Sequence, residues 1–281
     1  MILDINGAKL FVDVQGQGPA IIAHHGAPGM GSHATPKRAL APLADSHTVI
    51  TFDARGSGQS EKVGPYTHEQ WVADVDAIRA HFGFETFILK GGSYGGFIAL
   101  EYVLAHPERV SHLILRDTAA ANDHQVLAKQ NALARAREFP DITREVLDRM
   151  FAGEARDDDD FRRIFEIIAP LFDFNYDPQR TSARIAQSVV HAEAHNYAFK
   201  FNLPNYDLRG RLHEIAAPTL VTVGRHDWIM PVSASEVIAN GIRNAEFVVF
   251  EHSGHSPGTE ENDRWIATIR EFLARHPSMG R

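Results

Sequence analysis

Short apolar runs alternate with stretches in which apolar residues return every third or fourth position, and the alternation carries from residue 8 to residue 250 with one long break. Residues 8–14, Ala20–His24 and Thr48–Phe52 read as strands, each closed by glycine, proline or aspartate. Trp71, Val75, Ile78 and Phe82 then fall at helical spacing, and Gly83 stands where a glycine C-cap belongs. Residues 86–89 form the next apolar run, Phe97, Leu100 and Leu104 mark the helix after it, and residues 110–115 return to a strand. Strands and helices that alternate at crossover spacing predict a parallel sheet covered on both faces.

The break begins near Thr118. Residues 119–209 carry helical patterns and acidic clusters but no buried strand pattern, and residues 218–223 and Glu246–Phe250 then restore the sheet. This predicts one α/β core, residues 1–118 and 210–281, with a helical cap inserted at 119–209. Trp265, Ile266, Ile269, Phe272 and Leu273 predict a last amphipathic helix, followed by a frayed tail from His276. The acidic run 157–160 reads as a solvated helix start or loop and not as a metal cluster, because like charges adjacent in sequence usually face water.

Composition narrows the function. At 281 residues, with 44% hydrophobic and 23% charged residues, the chain has the balance of a globular protein, and no stretch approaches the roughly 18 apolar residues of a membrane span. The N-terminal residues 1–7 lack a basic region and carry an acid, so no signal peptide is expected and a cytoplasmic location is the default. There is no cysteine, hence no disulfide or thiolate chemistry. A formal charge of -8 disfavours nucleic acid and leaves a small-molecule or short peptide substrate as the expectation.

Candidate chemistry centres on Gly91-Gly92-Ser93-Tyr94-Gly95, which joins the apolar run 86–89 to a helical pattern. A strand that turns this sharply into a helix needs small residues around the central serine, and the strained turn lifts Ser93 Oγ clear of the backbone. Serine needs a histidine base and an acid that holds the imidazole in the right tautomer. Asp227, in Gly224-Arg225-His226-Asp227 after the strand 218–223, is the candidate acid, and Asp117, at the end of the strand 110–115, is its rival. His255, between Gly254 and a Ser-Pro pair beyond the last strand, is the candidate base, with His252 as the alternative. An oxyanion would take the backbone N–H of Tyr94 and that of Ala27, in His25-Gly26-Ala27-Pro28-Gly29 after the strand Ala20–His24.

These segments, with Asp53-Ala54-Arg55-Gly56-Ser57-Gly58-Gln59-Ser60 and Gly254-His255, resemble the α/β-hydrolase superfamily and, within it, the proline iminopeptidase-like serine hydrolases. The resemblance implies the α/β-hydrolase fold: a mostly parallel central sheet, helices on both faces and an inserted helical cap. It also implies an acyl-enzyme formed on Ser93, no metal or organic cofactor, and release of an N-terminal residue such as proline from small peptides or amides. Relatives sharing such core motifs include esterases and lactonases, and a receptor retaining the fold but not turnover is an alternative of another class. Two positions depart from the group. Ala27 replaces a glycine of the oxyanion loop, and among cap carboxylates that hold a substrate amine only Glu193 fits the pattern, with Glu166 a weaker second. Asp53 and Arg55 are expected to pair with each other in a structural role. A metal site is disfavoured, since His213-Glu214 lacks the second histidine of H-E-x-x-H and His191 with His195 supplies two ligands only.

Overall fold

The computed structural model describes residues 1–277. Eight strands, β1 (Ile2–Ile5), β2 (Ala8–Gln15), β3 (Ala20–His24), β4 (Thr48–Phe52), β5 (Phe87–Gly92), β6 (Val110–Arg116), β7 (Thr219–Gly224) and β8 (Glu246–Phe250), form one sheet. Their order is β1-β2-β4-β3-β5-β6-β7-β8, antiparallel at β1–β2 and β2–β4 and parallel from β4 onward. The central strands are buried along their whole length, which is why their sequences read as continuous apolar runs and not as alternation. Successive residues nevertheless serve opposite faces. Ile22, Leu89, Leu115 and Val221 join one core cluster, whereas Ile21, Ile88, Ile114 and Leu220 join the other.

The first strand was hidden from the pattern because Ile2–Ile5 is largely exposed. Its signal is Asn6-Gly7, both at positive φ (48° and 77°), the two-residue turn that joins β1 to β2.

Helices α1 (Ala34–Leu40), α2 (His68–His81) and α3 (Tyr94–Ala105) lie before β6. Thr67 Oγ1 caps α2 by accepting from Gln70 N at 3.2 Å, and Gly83, at φ 73°, follows its last turn as the glycine signal predicts. Between β6 and β7 the described chain is helical: α4 (His124–Ala134), α5 (Arg144–Ala152), α6 (Asp158–Ile168), α7 (Pro178–Ala186), α8 (Ala192–Tyr197) and a π-helical turn at Ala198–Asn202. The neck of this insertion is closed by an isolated antiparallel bridge between Ala121 and Asp207 and by Leu208 N donating to Ala120 O at 2.7 Å. Helices α9 (Val232–Gly241), α10 (Pro257–Glu260) and α11 (Asn262–Arg275) complete the fold. Trp265, Ile266, Ile269 and Phe272 of α11 are buried against the sheet as expected; His276, where fraying was expected to begin, is instead held by Glu246 and His112, and the expected tail from residue 278 lies outside the described residues.

The acidic run needs a correction. Asp157 does cap α6, accepting from Asp160 N at 2.8 Å, and three acids in the first turn suit the helix dipole. Asp160, however, is buried between Arg149 and Arg156, whose guanidinium groups hold its carboxyl well below the usual range.

Candidate active site

Ser93 sits between β5 and α3 at φ 54° and ψ -128°, a left-handed conformation that costs a non-glycine residue on the order of 1–3 kcal/mol. The surroundings fix it. Ser93 N donates to Arg116 O at 2.9 Å, and Ser93 O accepts from Thr118 Oγ1 at 2.8 Å and from Gly96 N at 2.8 Å. Gly91 is required by space, since a Cβ there would lie 2.6 Å from Ala99 Cβ and 2.8 Å from Gly96 Cα. Ser93 itself is half-buried, so its side chain is reachable while its neighbours are not.

The loop after β3 presses on the serine. A Cβ on Gly26 would lie 2.7 Å from Ser93 Cβ and 3.2 Å from Ser93 Oγ. His25 pins this loop, with Nε2 accepting from Ala54 N at 2.9 Å and Nδ1 donating to Gly26 O at 2.7 Å, a tautomer assigned from its partners. Burial lowers the His25 pKa and brings that of His24 down to about 3, so both rings stay neutral. Ala27 adopts φ 52°, the conformation a glycine would take freely, and its carbonyl closes the turn by accepting from Met30 N at 3.0 Å and Gly31 N at 2.6 Å. Its own N–H has no protein acceptor among the described residues. Tyr94 opens α3, where a first-turn N–H has no intrahelical partner.

Past β7, Asp227 Oδ1 accepts from Ile229 N at 2.9 Å and Met230 N at 3.0 Å, and Oδ2 lies 2.7 Å from His255 Nδ1. Both residues are buried. With Nδ1–H directed to the carboxylate, Nε2 carries the lone pair. His255 is held at both ends of its backbone: its N–H donates to Phe172 O of the insertion at 2.7 Å, and its carbonyl accepts from Arg116 Nη1. His252 does not join this group; it is exposed and its backbone bonds Glu261. Asp117 does join it, buried beside the pair, so that one oxygen of each carboxylate and a ring nitrogen of His255 lie within 4.8 Å of one another.

Arg116 and an aromatic wall are the parts that motif reading missed. Ring contacts run from Tyr94 to Phe199 (6.0 Å between centroids), Phe199 to Phe151 (6.3 Å), Phe151 to Trp228 (6.3 Å), Trp228 to Phe172 (5.5 Å) and Phe172 to His255 (5.5 Å). Three of these rings, Phe151, Phe172 and Phe199, come from the insertion. Their density in residues 151–199 was the available signal.

Glu193 stands apart. It is 75% exposed and 3.7 Å from His191 Nε2, in a cavity of about 990 Å³ lined also by Lys62, Asp158, Tyr197, Lys200 and Phe201 and by none of Ser93, Asp227 and His255. The same segment does touch the loop after β3, since His191 N donates to Gly29 O at 2.7 Å. Glu166 is exposed on α6. His195 is a core histidine, its Nε2 spent on Met150 O at 3.0 Å, which removes half of the weak two-histidine metal pattern. Asp53 and Arg55 do not pair with each other: Asp53 bonds His33 and Gln59 N, while Arg55 bonds Asp74 at 2.8 Å and 3.0 Å. Asp53 is taken up by His33, just before α1, and by the Gln59 amide of its own loop, while Arg55 reaches across to Asp74 on α2.

A family model described as alpha/beta hydrolase fold matches residues 19–261, and the chain belongs to this family. It is an α/β-fold hydrolase enzyme, similar along its length to proline iminopeptidases. The proline iminopeptidase PfmaB of Pestalotiopsis fici is 37% identical over 97% of this chain and 99% of its own. That of Saccharolobus solfataricus is 26% identical over 97% of this chain and 90% of its own. Among solved structures, a thermophilic esterase from Thermogutta terrifontis matches with a TM-score of 0.75 and 25% identity, covering 98% of each chain.

Proposed function

We propose that the protein is a serine hydrolase that works through an acyl-enzyme, with Ser93 as nucleophile, His255 as base and Asp227 as the acid that orients it. The observation that carries this reading is the 2.7 Å Asp227–His255 bond at the sheet edge where the strained Ser93 is presented. Ser93 Oγ attacks the acyl carbon while its proton passes to His255 Nε2, and the carbonyl oxygen becomes an oxyanion that accepts from Ala27 N–H and Tyr94 N–H. The imidazolium then protonates the leaving amine or alkoxide as the bond to it breaks. Water, deprotonated by the same nitrogen, cleaves the acyl-enzyme and returns the proton to Ser93.

Residues 119–209 act as a cap over a core of 1–118 and 210–281, and supply Phe151, Phe172 and Phe199 to the aromatic wall. An apolar aromatic surface suits a compact apolar group like the pyrrolidine ring, and the relatives named proline iminopeptidase cover nearly the whole chain. The first-choice activity is therefore release of an N-terminal residue such as proline from small peptides or amides, with Glu193 holding the free amine. The exposure of Glu193 and its place in a cavity lined by none of Ser93, Asp227 and His255 favour a second reading, hydrolysis of small esters or lactones. Rates measured side by side on proline amides, N-acetylated proline amides, short acyl esters and lactones separate the two. Preference for the free amine supports the first; indifference to it, or preference for the acetylated form, supports the second. Lack of turnover on every class would leave a non-catalytic receptor.

A further inference from the structure

We propose that Asp117 is a second positioning acid of this site, which shares with Asp227 the orientation of His255 and becomes its only orienting carboxylate when Asp227 is neutralised. The proposal rests on the triad reading given above. Asp117 follows β6, the strand between β5 and β7, which Ser93 and Asp227 follow. It is fully buried and adopts φ 47°, a left-handed conformation that its surroundings enforce: its N–H donates to Thr222 O at 2.9 Å, Oδ1 accepts from Gly224 N at 2.9 Å, and Oδ2 accepts from Arg116 Nη1 at 2.7 Å. The same Arg116 nitrogen donates to the His255 carbonyl. One guanidinium therefore ties Asp117 to the histidine loop.

Oδ1 serves Gly224 N, which an asparagine oxygen would serve as well, whereas Oδ2 accepts from Arg116 Nη1 and so needs a carboxylate. The fold buries two acids within 4.8 Å, an arrangement in which the charge of Asp227 disfavours that of Asp117. Groups facing Asp117 are Arg116 of its own strand end, Lys90 on β5, Asp227 after β7 and His255 after β8. Of these, the charge that appears during turnover is the His255 imidazolium, and a second carboxylate stabilises it. Burial, and then the charge of Asp227, push the Asp117 pKa up to about 7, while Arg116 opposes them. Neutralising Asp227 removes a like charge, so Asp117 should ionise more readily in that variant.

The test compares the parent, Asp227→Asn, Asp117→Asn and the double variant, using p-nitrophenyl acetate between pH 5 and 9, together with the proton spectrum of the full chain. Asp117→Asn alone should cost about tenfold or less. Asp227→Asn should keep a residual rate that rises with pH at or below about 7 and should retain a downfield His255 Nδ1 proton. The double variant should lose at least another tenfold, the pH rise and the downfield proton. Equal rates, equal pH profiles and equal spectra for Asp227→Asn and the double variant would overturn the proposal. If the Asp117 variants do not fold, the spectrum of Asp227→Asn decides alone: disappearance of the downfield proton means that Asp117 does not take over. A Ser93→Ala chain that still turned over at the parental rate would sink the triad reading itself, an outcome distinct from any of these.

Discussion

The carboxyl edge of the sheet and the helical insertion are built on different principles. At the edge, the backbone is forced: Ala27, Ser93 and Asp117 are three of the five non-glycine residues at positive φ among the described residues, and the other two are asparagines, the residue type that tolerates it best. Ser93 and Asp117 are held by hydrogen bonds from a neighbouring strand or loop, and Ala27 by the Met30 and Gly31 amides of its own turn. The insertion carries amphipathic helices instead, with N-caps at Thr143, Asp157 and Asp177 and large exposed apolar side chains such as Phe174, Val189 and Phe201. It touches the edge through a few points, among them Phe172 O on His255 N and Ala198 O at 3.4 Å from the Tyr94 hydroxyl. Strain is concentrated at the carboxyl edge, where the proposed nucleophile and oxyanion loop lie, whereas the insertion offers side-chain surface.

The largest effect that can break this contrast is at the elbow. Ser93→Ala should fold, because alanine fits the same space, yet turnover should fall by about 10⁵ to 10⁶-fold and labelling by a serine-directed phosphonate should vanish. Stoichiometric labelling of the alanine variant would place the nucleophile elsewhere. Next comes Asp227→Asn, where the amide favours the wrong imidazole tautomer, at about 10⁴-fold in kcat. Steady-state kinetics on the same ester should find Asp117→Asn far milder, since Asp227 and not Asp117 makes the 2.7 Å bond to Nδ1. The opposite ranking would move the primary acid to Asp117.

The sequence was legible to different depths in the two regions, for the same physical reason. At the edge, a tight turn admits few residue types, so Gly91-x-Ser93-x-Gly95, the loop 25–29 and Gly254-His255 announce themselves locally. Arg116 does not. Its role depends on a guanidinium that reaches from β6 to the loop after β8, a contact 139 residues apart in sequence that no local pattern encodes. The choice between Asp227 and Asp117 was open for a similar reason, since both end adjacent parallel strands and only side-chain direction separates them. In the insertion the helices could be read from periodicity, but which faces meet could not. The expected Asp53–Arg55 pair failed because Arg55 pairs instead with Asp74 on α2, a partner that could not be seen from one segment alone.

Acid stability offers a comparison with one buried histidine in each region. Burial lowers His195, in the insertion, from 6.5 to about 4, and His24, at the edge, to about 3. A histidine whose folded pKa is depressed binds fewer protons folded than unfolded, so stability is lost as pH falls below 6.5 and the loss continues down to the folded value. For His195 that window is pH 6.5 to 4, worth about 3 kcal/mol at one unit per 1.36 kcal/mol. Replacing His195 with Phe sacrifices its bond to Met150 O but should flatten the pH dependence of denaturant midpoints across this window. An unchanged slope would mean that His195 is not kept neutral by the fold.

The smallest expected effect lies at Glu193 and probes whether the insertion does recognise an amine. A charge pair removed from water is typically worth 2–5 kcal/mol when one partner is truncated, but Glu193 is 75% exposed, and exposed pairs contribute roughly 0–1 kcal/mol. Glu193→Gln should therefore raise KM for a free-amine proline amide by only about three- to fivefold and leave kcat, and both constants for a neutral ester, unchanged. N-acetylation of the amide should produce a similar change in the parent. A loss of a hundredfold or more would mean that the insertion closes over the substrate and takes Glu193 out of water, joining the two regions during turnover. No change with either modification would remove the amine anchor and leave ester or lactone hydrolysis as the reading that fits.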